Sequence, residues 1–269
     1  MKQLFILLLS YFILSSSTQA QKIFYKSGNN YIATNAFCSH YSNDTPKEFD
    51  YYNEDKNHIS TYTCVNNSRE GKAILYLTEY KVGNSTNLTV HTNYINNNMQ
   101  GEIIAYHPSG AIAFKSFAKN GYQDGEYTSY YESGAIEEKK FFQLSLRDGE
   151  YTSYYESGGI DLKGFFKKGL KHGEFIHYYE SGTIKQKMSF QDDNQDGEWS
   201  FYYESGKLST KYTYTDNLVD GPYISYYESG NLAAKGFYRN DLLQGEYITY
   251  NEDGSIKEKK IYKNNIVQE

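Results

Sequence analysis

Cysteine, proline and tryptophan are scarce in this 269-residue chain, at two, three and one. Two cysteines that form no C-x-x-C pair exclude a zinc ribbon and a disulfide-dense scaffold. Three prolines exclude collagen and proline-rich linkers. The longest apolar run, Leu4 to Leu14, is shorter than the roughly 18 residues that a membrane span needs. The six histidines, His40, His58, His91, His107, His172 and His177, show neither H-x-x-x-H nor H-E-x-x-H spacing, so no metal site is expected. No G-x-S-x-G occurs, and no glycine-rich phosphate loop leads into a helix. No cofactor is implied, and the chain reads as a non-enzyme. Positive charge is also short: the formal net charge is -6, which argues against nucleic acid as a partner.

The abundant residues are tyrosine, at 31, and glycine, at 22. Tyrosine depresses the mean hydropathy to -0.74, yet its ring packs well in sheets. The glycines are periodic. Gly101, Gly125, Gly149, Gly173, Gly197, Gly221 and Gly245 recur every 24 residues, and a second glycine follows each of them nine residues later. Such a register describes a repeat array in which each copy buries its apolar side against its neighbours.

Counting the leading glycine as position 0, position 2 is usually aromatic, and position 5 is tyrosine in every copy. Position 6 is tyrosine at Tyr131, Tyr155, Tyr179, Tyr203 and Tyr227. Position 11 is Ile or Leu and position 14 is always Lys, including Lys139, Lys163, Lys187 and Lys211. Two β-prone runs around a Ser-Gly turn make a hairpin. His107-Pro108-Ser109-Gly110 in the first copy predicts a three-residue loop, a type I turn followed by a left-handed glycine. That register places position 5 opposite 11 and position 2 opposite 14, with the position 5 tyrosines in the core. The expected fold is all-β, an elongated single-sheet ribbon of stacked 24-residue hairpins.

Three segments are expected. Residues 1–20 carry Lys2, the apolar run and a small-residue site ending at Ala20, the pattern of a cleaved signal peptide. Residues 21–100 hold degenerate hairpins that cap the array, and residues 101–269 hold its seven copies. Export makes the localisation periplasmic, cell-envelope or extracellular. It also favours a Cys38–Cys64 disulfide, since the two cysteines fall at near-equivalent points of adjacent degenerate hairpins.

The motifs Asp-Gly-Glu-Tyr (124–127), Asp-Gly-Glu-Trp (196–199) and Tyr-Tyr-Glu-Ser-Gly resemble the bacterial variant of the MORN repeat. The resemblance covers roughly residues 101–269 and implies a β-hairpin ribbon that recognises a protein partner. Proteins of this variant are often described as YwqK-type antitoxins, whose partner is a toxin.

Two columns are candidate binding residues. The lysines at position 14 either grip anionic headgroups or a polyanion, or lie over the facing aromatics and offset the turn glutamates. The acidic net charge favours the second. The position 6 tyrosines either form an exposed ladder for protein or glycan recognition or are partly covered by twist and lysine stems. Asp192 to Gly197 opens like a calcium loop, but Tyr203 stands where the bidentate glutamate would be. The preferred expectation is an exported scaffold that binds a protein through an aromatic face. The alternative is an envelope-associated structural protein contacting glycan or a membrane surface. Oligomeric state is not legible.

Overall fold

The computed structural model describes residues 23–27, 30–34, 38, 41–52, 58–65, 68–77 and 87–268. The expected signal peptide, and Gly28 and residues 53–55 of the N-terminal turns, lie outside the described residues. Among the described residues there are strands and turns and no helix. Consecutive strands pair antiparallel as a succession of hairpins, so the all-β hairpin architecture holds. The chain divides into two compact units, Met1–Leu146 and Arg147–Glu269. The division falls within the copy led by Gly125.

Each copy is closed by two different turns, and the local sequence explains both. At the Ser-Gly turn, the Tyr179 carbonyl accepts from Gly182 N–H at 2.8 Å, and Tyr179 N–H donates to the Thr183 carbonyl at 2.8 Å. Gly182 has a φ of 85°, a left-handed conformation that glycine adopts without steric cost. This is the expected three-residue loop. The second turn has two residues, both left-handed: Asp192 (52°) with Asp193 (71°), and Asn264 (53°) with Asn265 (66°). Aspartate and asparagine tolerate that conformation, and it matches the twist of a hairpin. The turn also reaches sideways. Asp193 N–H donates to the Lys171 carbonyl, and Asp193 Oδ1 accepts from Lys171 N–H at 2.7 Å. Asn217 treats Gln195 in the same way, with its Oδ1 at 2.8 Å from Gln195 N.

Position 5 faces position 11 as expected, as in Tyr178↔Ile184. Position 2 does not face 14. In every copy the register shifts between positions 4 and 5, so that Phe175 faces Met188 and Ile176 faces Lys187. The cause is a β-bulge that leaves one extra residue at position 12, which displaces all later pairs by one. Since successive side chains point to opposite faces, the shift sends the position 14 lysines to the face away from position 2. The N-terminal hairpin of Lys47–Tyr52 and His58–Val65 carries the same shift, between Tyr51 and Tyr52, whereas Ser68–Leu77 pairs Leu88–Ile95 without one.

The core follows positions 2 and 17, not position 5. In the second unit the rings of Tyr151, Phe166, Phe175, Phe190, Trp199 and Tyr214 meet edge to face in that order, with centroids 4.9–5.6 Å apart. Phe175 is 1% exposed, whereas Tyr178, Tyr202 and Tyr226 are half-buried on the opposite face. A ring at position 2 sits between position 17 rings of its own and the preceding copy, which encloses it without a second layer. In the first unit, Tyr51, Tyr62, Leu75, Val90, Ile103 and Phe114 are fully buried. Cys38 and Cys64 are joined there, with S–S at 2.08 Å and Cα atoms 5.3 Å apart. The Tyr51 hydroxyl accepts from Cys38 N–H at 2.7 Å and lies 3.4 Å from Cys64 Sγ.

Candidate functional site

Each hairpin has two distinct faces. The aromatic face holds positions 2, 4, 13, 15, 17 and 22. The mixed face holds the acidic residue at position 1, the lysine at 14 and an exposed residue at 16. On the mixed face Phe165 is 40% exposed and Phe237 38%, and in the first unit Phe117 is 45% and Phe141 43% exposed. Position 1 faces position 16, as in Glu150↔Phe165, so glutamates and lysines flank Phe117, Phe141 and Phe165, whereas Phe237 faces Pro222.

The lysine column therefore has a different set of neighbours from the one expected. Lys211 Nζ lies 2.5 Å from Glu198 Oε2, and Lys259 Nζ lies 2.7 Å from Glu246 Oε1. The Lys211 ammonium, aided by the Ser200 hydroxyl, holds the Glu198 carboxyl below its ordinary range. These pairs are solvated and worth little individually. Cation–π contacts exist, but positions 15 and 22 make most of them: Lys140 Nζ lies 4.2 Å from the Tyr127 centroid, and Arg147 Cζ lies 3.7 Å from the Phe166 centroid. Lys139 and Lys163 are exposed, and Lys187 is half-buried.

The position 6 tyrosines are half-buried, and in the second unit their hydroxyls act between copies. Tyr155 donates to the Tyr178 carbonyl at 2.6 Å, Tyr179 to Tyr202 at 2.8 Å, Tyr203 to Tyr226 at 2.7 Å and Tyr227 to Tyr250 at 2.7 Å. Each acceptor is the position 5 carbonyl of the following copy. The tyrosine satisfies a backbone group at the hairpin end that the ladder leaves open. Desolvation, and then Asp161, push the Tyr155 hydroxyl upward and keep it a donor.

Sequence reasoning missed a third tie. The bulge presents Asp161 to both neighbours: its Oδ1 lies 2.7 Å from His177 Nε2, and its Oδ2 accepts from Ser153 Oγ at 3.1 Å. The serine is bound to the acid and not to the imidazole, so this trio lacks the serine–base hydrogen bond that activates a nucleophile. The calcium-like loop is engaged elsewhere. Asp192 Oδ1 lies 3.0 Å from His172 Nδ1, and Asp193 Oδ1 holds Lys171 N–H. Among the described residues no group of three or more His, Cys, Asp or Glu could hold a metal.

The 24-residue hairpin thus has the same two turns and the same bulge in every copy. The model of the MORN repeat variant matches it six times in succession, at 123–143, 147–168, 171–192, 195–216, 219–240 and 243–264. The chain carries MORN repeats. The copy led by Gly101 lies before the first match yet has the same bulged register, Tyr106↔Ile112, so the MORN geometry starts earlier than the MORN sequence pattern. No curated protein matches the chain. Among solved structures, the crystal structure of TcdB2-TccC3-Cdc42 is 8% identical with a TM-score of 0.17, covering 81% of this chain and 18% of that one. The chain thus spans less than a fifth of that protein. A porin-like protein from Bacteroides uniformis is 7% identical with a TM-score of 0.21, covering 94% and 95%. Likeness at this level speaks neither to function nor to partner.

Proposed function

We propose that this MORN-repeat protein is an exported, non-enzymatic recognition scaffold that docks a protein partner on the mixed face of its hairpins. The observation that carries the reading is the exposed phenylalanine at position 16 of several hairpins, Phe117 and Phe141 in one unit and Phe165 and Phe237 in the other, in register with lysines at position 14 and, except at Pro222 opposite Phe237, with acids at position 1. Aromatic anchors ringed by charge are what protein interfaces use. The charged columns would set register and on-rate more than affinity. Lys139, Lys163, Lys187 and Lys211 belong to that face. Tyr155, Tyr179, Tyr203 and Tyr227 act at one remove, by holding successive copies at a set spacing, and Tyr131 is the residue at the same position of its own copy. The resemblance to YwqK-type antitoxins agrees with a partner that is itself a protein. Lys2, the apolar run and the buried Cys38–Cys64 bond agree with an oxidising compartment outside the cytoplasm.

The test uses the chain from Gln21 as bait for envelope and secreted proteins, with crosslinking to map contacts. A single protein crosslinked beside positions 14 and 16, and lost when Phe165 and Phe237 are changed to serine, supports the reading. Equal recovery by both baits, or crosslinks confined to the aromatic face, would overturn it. Lys163→Glu with Lys187→Glu and Lys211→Glu should slow association while leaving a measurable complex.

A further inference from the structure

The aromatic face changes character along the second unit, and the change is chemical rather than structural. In the copies led by Gly149 and Gly173 the edge-to-face row is built from Tyr151, Phe166, Phe175 and Phe190, with Arg147, from position 22 of the preceding copy, over Phe166 and Lys171 over Phe190. In the following copies the equivalent ring positions are Tyr214, Tyr223, Tyr238 and Tyr247, joined by Tyr212 at position 15. The packing is retained: Tyr223 meets Tyr238 edge-on at 5.9 Å and stacks with Tyr247 at 6.3 Å. Phenylalanine fills this geometry in the earlier copies, so the hydroxyls are not needed to build the row.

The charge pattern changes at the same place. From Trp199 to Thr249 every residue at positions 2, 4, 13, 15, 17 and 22 is uncharged, and the side chains are Trp, Phe, Tyr, Thr, Ser, Val, Leu, Ala and Gly. The tyrosine rings are half-buried, whereas Phe166, Phe175 and Phe190 are buried. The result is a strip of ring faces fringed by hydroxyls; charge on this face returns only at its end, where Lys260 and Glu258, opposite Tyr247 and Thr249, pair with each other at 2.7 Å.

We infer that the aromatic face between Trp199 and Tyr247 is a binding strip for an extended neutral polysaccharide. Sugar C–H faces lie on the half-exposed rings, and the phenol hydroxyls exchange hydrogen bonds with sugar oxygens. The lack of net charge along the strip selects the ligand class. A polyanion or an anionic lipid surface requires an excess of lysine or arginine, whereas the strip holds none between Trp199 and Thr249 and ends at a Lys260–Glu258 pair whose charges offset each other. An extended chain can lie along consecutive hairpins, as a globular ligand cannot. Burial, and then neighbouring tyrosines, raise the hydroxyls of Tyr212, Tyr238 and Tyr247 above their ordinary value, so they remain neutral donors.

Trp199, the only tryptophan, lies 4.9 Å from Tyr214 and reports on the strip directly. The full mature chain is run in native gels containing hydroxyethyl cellulose, soluble xylan or heparin, and its fluorescence is followed as each is added. Anionic phosphatidylglycerol vesicles are tested by sedimentation. Retardation by a neutral polysaccharide with a Trp199 emission shift, and none by heparin, is the expected result. Tyr223→Leu with Tyr247→Leu should weaken retention roughly tenfold or more, from the loss of two ring contacts. Tyr223→Phe with Tyr247→Phe keeps the rings and the fold, and should weaken it by about two- to fivefold through the lost hydroxyls. No retardation in either neutral gel, binding to heparin or vesicles alone, or retention unchanged in the Phe pair would each overturn the inference.

Discussion

Gly164→Ala probes the aromatic row at its tightest point. Gly164 lies at position 15, and the ring of Phe175 from the next copy rests over its backbone. A Cβ built there would lie 2.3 Å from both Phe175 Cδ1 and Cε1, and 2.7 Å from Cγ. The ring has nowhere to go: Phe175 is 1% exposed and sits between Phe166 at 5.4 Å and Phe190 at 5.3 Å. Overpacking of this kind costs about 1–3 kcal/mol. Tilting the ring also spoils two edge-to-face pairs worth about 0.5–1.5 kcal/mol each. The alanine recovers about 0.4–1 kcal/mol from the less mobile unfolded chain. The net expectation is destabilisation of about 2–4 kcal/mol. Denaturant unfolding followed by Trp199 fluorescence measures it, because Trp199 packs on Phe190 at 5.6 Å. Gly159→Ala is the internal control. Its nearest neighbours are the Glu180 carbonyl at 3.6 Å and Tyr155 Cδ2 at 3.8 Å, and the same position holds Ala111 and Ala135 in other copies. That variant should be neutral or more stable by about 0.4–1 kcal/mol. A Gly164→Ala protein as stable as its parent would refute the assignment of the core to positions 2 and 17.

Tyr179→Phe removes only the hydrogen bond to the Tyr202 carbonyl, and should cost about 0.5–1.5 kcal/mol, with faster amide exchange confined to the adjoining hairpins. Reduction of the Cys38–Cys64 bond, which closes 26 residues, should destabilise the Met1–Leu146 unit by about 3 kcal/mol and leave the Trp199 transition in place. A transition shifted equally in both units would contradict this. At alkaline pH the sign is set by the raised hydroxyls of Tyr212, Tyr238 and Tyr247, whose ordinary value is 10.0. A value higher in the folded than in the unfolded chain gives stabilisation that is complete below pH 10 and lost as the pH rises beyond it. Tyrosinate absorbance and thermal melts should therefore change together above about pH 10. Full ionisation of these tyrosines with an unchanged melt would refute the linkage.

The hairpin, its three-residue loop and the facing of positions 5 and 11 were legible because glycine and serine-glycine carry turn chemistry at fixed offsets. The bulge was not. Position 12 is Glu137, Asp161, Lys185, Ser209, Ala233 and Lys257 in successive copies, so no residue preference marks it. One unmarked residue moved the lysines off the aromatic face and moved the core from position 5 to positions 2 and 17. Asn120-Gly121, Asp192-Asp193 and Asn264-Asn265 did carry a signal for two left-handed residues, yet their polarity reads equally well as an ordinary surface loop. The position 6 hydroxyls were ambiguous for a similar reason. A tyrosine that ends a strand can face solvent or reach the next copy, and only the position of the neighbouring carbonyl decides.

Three kinds of tie join one copy to its neighbour where the residue is present: the position 6 tyrosine hydroxyl, the turn side chain at position 20, and the bulge acid. All of the first kind run from a residue to the one 23 places later. A genetic event that removes or duplicates a whole copy leaves nearly every donor facing an equivalent acceptor. Loss of a single codon within a copy puts the tyrosine out of reach of its carbonyl and reverses the faces of every residue up to the next turn. The coding sequence is thus tolerant of errors in units of one repeat and intolerant of smaller ones, so length is the property of this scaffold that inheritance can vary most cheaply.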